Sequence, residues 1–189
     1  LCPHVDMLSG PGCPVCVTSA TDLERAIAVA SIPDVILATY GDMIRVPGSR
    51  RSLQEARAQG ADVRVVYSIL DALDIARQHA DRQVVFLGIG FETTAPTTAA
   101  AILQAEKEQL SNFYVLCLHK LTPPATRAIL DAGTTRLDGI IGPGHVTTII
   151  GADAWQFLPD EYNISCVIAG FEPLDILSAV SELVRLHKE

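Results

Sequence analysis

Long apolar runs are absent from this 189-residue chain, and so are clusters of basic residues. No stretch approaches the ~20 consecutive apolar residues of a membrane-spanning helix, so a membrane protein of that kind is not expected. Lys and Arg number 14 against 22 Asp and Glu, giving a formal charge of −8. Phosphate backbones are recognised by clustered positive charge, so nucleic acid is not an expected partner. Cysteine is scarce: Cys2, Cys13, Cys16, Cys117 and Cys166 make an odd, scattered set of five. That does not read as a secreted disulfide framework. No second CxxC accompanies the first, so a zinc site is weakly signalled, with Cys117 and His119 as the remaining ligands. Leu1-Cys2-Pro3-His4 is neither basic nor followed by a long apolar run, so no signal peptide is expected and the protein is placed in the cytoplasm. A chain opening without Met is expected to be a portion of a longer one.

Hydrophobic residues are 49% and charged residues 19% of the chain, which predicts a sizeable packed core in one large or two small domains. One stretch stands apart from that core, Ser9-Gly10-Pro11-Gly12-Cys13-Pro14-Val15-Cys16-Val17-Thr18. Its glycines admit positive φ and its prolines pin φ near −65°. Thiols at this spacing can close a disulfide, exchange it, or hold a soft metal. The bland alternative is two small packing residues.

Val5–Leu8 reads as a short strand, and Thr21-Asp22-Leu23-Glu24 as the cap of a helix running to Ser31. The apolar runs 34–40, 62–67, 83–88, 113–118, 138–141 and 165–169 read as strands. Helices are predicted over 52–59, 69–79, 96–109, 124–132 and 173–187, with a short helix at 146–150 and one more turn at 152–157. Strand, loop and helix alternate, which implies βαβ units and mostly parallel sheets. The fold class is therefore α/β, in two Rossmann-like halves with flanking helices. Gly-Pro-Gly recurs at 10–12 and 142–144, and Gly-Phe-Glu at 90–92 and 170–172. These echoes suit two similar halves, divided as 1–78 and 79–189, with the last helix free to pack back on the first half.

Binding loops in such folds gather at strand carboxyl ends. Gly88-Ile89-Gly90-Phe91-Glu92-Thr93 imitates a dinucleotide fingerprint but has Thr where its third glycine belongs, so it reads as a polar loop at a helix N-terminus. Glu92 suits either a general base or a carboxylate stabilising a helix N-terminus. His145, after a rigid Gly-Pro-Gly turn, reads as a site histidine. His119 stays open between site and core. His4, His79 and His187 read as surface residues, and Cys117 and Cys166 as packing residues.

Six ordered motifs together resemble the HypD family of [NiFe]-hydrogenase maturation proteins. They are Gly10–Cys16, Gly41–Gly48, Gly60–Arg64, Gly90–Thr94, Pro143–Val146 and Ala169–Asp175. The resemblance covers essentially the whole chain. It implies two Rossmann-like domains and a separate [4Fe–4S] domain. It also implies work with a HypC-type chaperone and HypE to assemble an iron carrying two cyanides and one carbon monoxide, Fe(CN)2CO. Cys13 and Cys16 would be the redox-active dithiol and candidate iron ligands. Gly90, Phe91, Glu92, Thr93, Thr94, Gly144 and His145 would line the cleft that receives the iron. The family's upstream Cys-Gly-x-His-x-His motif and its cysteine-rich cluster segment have no counterpart in these residues; Cys2 lacks the Gly and His neighbours. The other readings are a general thiol–disulfide oxidoreductase and a structural domain that docks HypC.

Overall fold

The computed structural model describes residues 5–188. Four strands form one parallel sheet in the order β2-β1-β3-β4: β1 (Val35–Thr39), β2 (Asp62–Val65), β3 (Gln83–Gly88) and β4 (Phe113–Cys117). Every residue of β1 is buried, as a strand covered on both faces requires. One face carries Leu37, Val63 and Leu87 against Leu23 and Ile27 of helix α1 (Ala20–Ala30) and Leu53 of α2 (Leu53–Ala58). The other carries Ala38 and Phe86 against Ile69 and Leu73 of α3 (Ile69–Gln78) and Ala101 of α4 (Ala95–Lys107).

Local signals fix the helix starts. Ser52 and Ser68 form capping boxes with Glu55 and Asp71, satisfying backbone donors that a helix start leaves unpaired. In α1 the capping side chain is Ser19, which accepts the Asp22 N–H at 3.0 Å, two residues before the predicted cap. Val5–Leu8 is not a strand; it has no regular structure, and Met7 and Leu8 are exposed.

A second parallel pair joins β5 (Gly139–Pro143) to β6 (Ser165–Ala169). Helices α5 (Thr122–Asp131), α6 (Gly144–Ile150), α7 (Phe157–Tyr162) and α8 (Pro173–Lys188) belong with it. Its buried centre is Val146, Trp155 and Leu158. The α/β class with parallel sheets and flanking helices is as predicted.

The chain divides into two compact units. One runs to Gly90 and resumes at Thr94–His119; the other is Phe91–Thr93 with the residues from Lys120 onward. The dividing line thus lies near His119 and not at Gln78. The reason is pairing: β3 and β4 extend the sheet begun by β1 and β2. The final helix α8 packs on β5 and β6 of its own unit.

Candidate functional site

Two proline-flanked turns of backbone hold the thiols. Val17 N–H donates to the Cys13 carbonyl at 3.2 Å, Thr18 N–H to the Val15 carbonyl at 3.2 Å, and the Thr18 hydroxyl to the Pro14 carbonyl at 2.9 Å. Val15, between the cysteines, packs against the α1–α2 core and anchors the turn. Both cysteines are free and exposed, and the Cys16 N–H donates to Cys13 Sγ at 3.3 Å. The pair is electrostatically unequal. The Cys16 thiol and N–H hold the Cys13 thiol below the ordinary range, against the opposing pushes of desolvation and, more weakly, of Asp42. Its hydrogen bond to Cys13, followed by burial, raises the Cys16 thiol. The α1 dipole is not the source, since α1 begins at Ala20.

The Gly90–Thr94 loop leaves the carboxyl end of β3, beside the point where connections from β1 and β3 diverge to opposite sides of the sheet. Gly90 has φ +136°, and a Cβ there would lie 1.9 Å from Thr94 Oγ1, so only glycine fits. Phe91 is 9% and Glu92 5% exposed, whereas Thr93 is exposed and Thr94 half-buried. Both carboxylate oxygens of Glu92 are occupied: Thr122 donates its N–H to Oε1 at 2.6 Å and its hydroxyl to Oε2 at 2.7 Å. Glu92 therefore stabilises a helix N-terminus, but that of α5 and not of the adjacent α4. Sequence reading missed Thr122, although Thr122-Pro123-Pro124 is itself a helix-start signature.

In the smaller unit, Gly144 and His145 sit where β5 passes into α6. A Cβ on Gly144 would come 2.8 Å from the Ala169 carbonyl oxygen, so glycine allows the ends of β5 and β6 to approach. The exposed His145 ring stacks on Phe171, with centroids 4.8 Å apart and planes at 23°. An open depression of about 450 Å³ adjoins them, lined by Gly144, His145, Thr147, Thr148, Ile168, Ala169 and Gly170. Phe171 belongs to the second Gly-Phe-Glu echo and was not singled out in the sequence.

Cys117 is exposed, not packed, and its Sγ lies 3.5 Å from His119 Nδ1. Burial pushes the His119 imidazole below its usual range, and its Nε2 is buried without a hydrogen-bond partner. Cys166 is half-buried, and burial pushes its thiol up to about 11. Cys2 and His4 lie outside the described residues. Among the described residues, no three or more His, Cys, Asp and Glu side chains are grouped to hold a metal ion. The zinc set Cys13, Cys16, Cys117 and His119 is thus not assembled, and these residues do not fit a resident iron–sulfur cluster. No helix of the described residues is long and apolar enough to cross a membrane.

Residues 1–189 match the family described as "HypD: Hydrogenase formation hypA family". The chain is 55% identical to the "Hydrogenase maturation factor HypD" of Azotobacter vinelandii, over 98% of this chain and 51% of that protein. It is 50% identical to the Rhodobacter capsulatus protein of the same name, over 97% and 48%. For that of Escherichia coli (strain K12) the figures are 46%, 96% and 49%. The chain thus spans about half the length of the curated relatives it matches.

Proposed function

This chain belongs to the HypD family of hydrogenase formation proteins, and from that premise we propose that it is part of a cytoplasmic scaffold on which the Fe(CN)2CO unit of [NiFe]-hydrogenase is built and passed on, with HypC- and HypE-type partners. The carrying observation is the turn that holds two exposed, free thiols with the Cys16 N–H 3.3 Å from Cys13 Sγ. In this reading Cys13 and Cys16 cycle between dithiol and disulfide while the iron is loaded, and a thiolate offers the soft ligand such iron prefers. The iron with its cyanides and carbonyl is cargo. Gly90–Thr94 offers polar groups suited to its anionic nitrogens, with Glu92 acting by holding α5 in place, and Gly144 and His145 of the smaller unit are candidate contacts in their own right.

Two measurements test the reading. Thiol counting on the native chain should show two thiols lost on mild oxidation and regained on reduction. The full-length protein co-purified with a HypC-type partner should show cyanide and carbonyl infrared stretches, which the Cys13→Ser/Cys16→Ser variant lacks. Insulin reduction without any partner, and no infrared bands, would favour the general oxidoreductase instead.

A further inference from the structure

We propose that Cys117, held beside His119 at the carboxyl end of β4, is a modification site: an exposed thiol that takes one half of a small disulfide of the glutathione class as a mixed disulfide. The proposal uses none of the residues of the Cys13–Cys16 turn and stands apart from the dithiol reading.

The sheet brings the pair together. Cys117 is the last residue of β4 and the register partner of Gly88, the last residue of β3. The Leu118 N–H donates to the Gly88 carbonyl at 2.8 Å, so the chain stays paired one residue past the strand and delivers His119 over Gly88. The half-buried ring uses the room that glycine leaves. A Cβ on Gly88 would lie 3.0 Å from His119 Cε1 and 3.4 Å from its Nδ1. Seated there, the ring holds Nδ1 3.5 Å from Cys117 Sγ.

The other ring nitrogen sets the direction of that contact. Nε2 is buried and meets no hydrogen-bond partner. A proton there would be an orphaned buried N–H, which folded proteins avoid more strictly than a bare acceptor. The neutral ring therefore carries its proton on Nδ1 and donates it to the sulfur. Burial acts in the same sense, disfavouring the charged imidazolium. Cys117 Sγ is thus an exposed sulfur oriented by a fixed donor, which meets the charge of the reacting thiolate. Its hydrogen-bond partner is an imidazole and not a second thiol, so nothing within the pair resolves an adduct.

The exchange balances as follows. Cys117 gives its proton to solvent, and its thiolate attacks one sulfur of R–S–S–R′. The Cys117–S–R bond forms, the S–S bond of the small disulfide breaks, and R′S⁻ leaves with the electron pair and takes up a proton. One disulfide is consumed and one is formed, so no further oxidant enters. A free small thiol reverses the step.

The test uses the chain with all its cysteines in place, glutathione disulfide as probe and peptide mass spectrometry as readout. Trypsin, cutting after Lys107 and Lys120, isolates residues 108–120, in which Cys117 is the one cysteine. That peptide should gain the mass of glutathione at least about threefold faster in the native chain than in the urea-unfolded chain, and lose it to dithiothreitol. His119→Phe, with its fold checked by circular dichroism, should bring the native rate down to the unfolded one. Nitrogen-15 NMR of the unvaried chain, which needs no substitution, should find the His119 proton on Nδ1. No adduct on this peptide, a native rate no higher than the unfolded one, an unchanged rate in a folded His119→Phe, or a proton on Nε2 overturns the proposal. A Cys13–Cys16 disulfide appears in a different peptide as the loss of two hydrogens, so the two readings fail separately.

Discussion

Removing the Glu92 carboxylate should loosen the smaller unit, and the loss can be worked from two contacts. Glu92 is 5% exposed and receives the Thr122 N–H at 2.6 Å and the Thr122 hydroxyl at 2.7 Å. A hydrogen bond to a charged group contributes about 1.5–3 kcal/mol net, and a buried donor left unpaired costs about 1–3 kcal/mol. Thr122 is half-buried, so water recovers part of that cost. Glu92→Ala is therefore expected to destabilise by about 2–4 kcal/mol. Glu92→Gln keeps an oxygen for the N–H and offers an amide to the hydroxyl, so its loss should be about 1 kcal/mol. Thr122→Val removes only the hydroxyl, and a double-mutant cycle with Glu92→Ala should show coupling of about 1–2 kcal/mol. Trp155 is the only tryptophan and lies buried in the same unit, so urea unfolding followed by its fluorescence reads that unit directly. With a slope of about 1 kcal/mol per molar urea for a unit this small, Glu92→Ala should lower the midpoint by about 2–4 M. A midpoint unchanged in Glu92→Ala would refute the clamp. Loss of maturation by a full-length protein carrying Glu92→Gln, with the unit as stable as in the unvaried protein, would refute it too, and would return the carboxylate to acid–base chemistry.

Three further outcomes follow from single sites. Gly90→Ala should cost more than about 2 kcal/mol, since its φ is +136° and the new methyl overlaps Thr94 Oγ1; adding Thr94→Ala should relieve only the overlap, as urea midpoints would show. Cys166, whose thiol burial pushes up to about 11, stays protonated at pH 8 and should react with a thiol reagent only after unfolding, whereas Cys13, Cys16 and Cys117 react in the native chain; time-resolved mass spectrometry checks this. Asp62 is held below the usual carboxylate range by Arg64, with Arg82 adding to it against the cost of burial. Its stabilisation is thus full above its unfolded value of about 3.9 and is lost as pH falls through the lower folded value, so Asp62→Asn should flatten the acid limb of stability against pH.

The periodic part of this fold was legible from residues alone. β3 and β6 fall where the apolar runs Gln83–Gly88 and Ser165–Ala169 place them, and α8 begins at Pro173 as its first-turn proline indicates. What misled was information that is not local. Val5–Leu8 has the composition of a strand but pairs with no strand among the described residues, and pairing, not propensity, makes a strand. The boundary near Gln78 failed because only the register of β1 with β3 reveals that one sheet continues across it. At the candidate site, the thiol turn was visible in its Gly, Pro and Cys spacing. The inequality of the thiols was not, because it depends on which sulfur meets the Cys16 N–H. Glu92 was marked as important, but its partner lies 30 residues ahead, beyond any spacing rule. Phe171 under His145 was hidden for the same reason.

The assignment of Phe91–Thr93 to the smaller unit means that neither unit is an uninterrupted piece of polypeptide. The backbone passes between them at three points, after Gly90, after Thr93 and after His119. A single proteolytic nick at any one of these would leave the two parts covalently joined. A gene fragment starting at Lys120 would code for α5 without the acid that holds its first turn. Supplying Phe91-Glu92-Thr93 on a separate peptide, or grafting them through a short linker, is what the isolated piece would need.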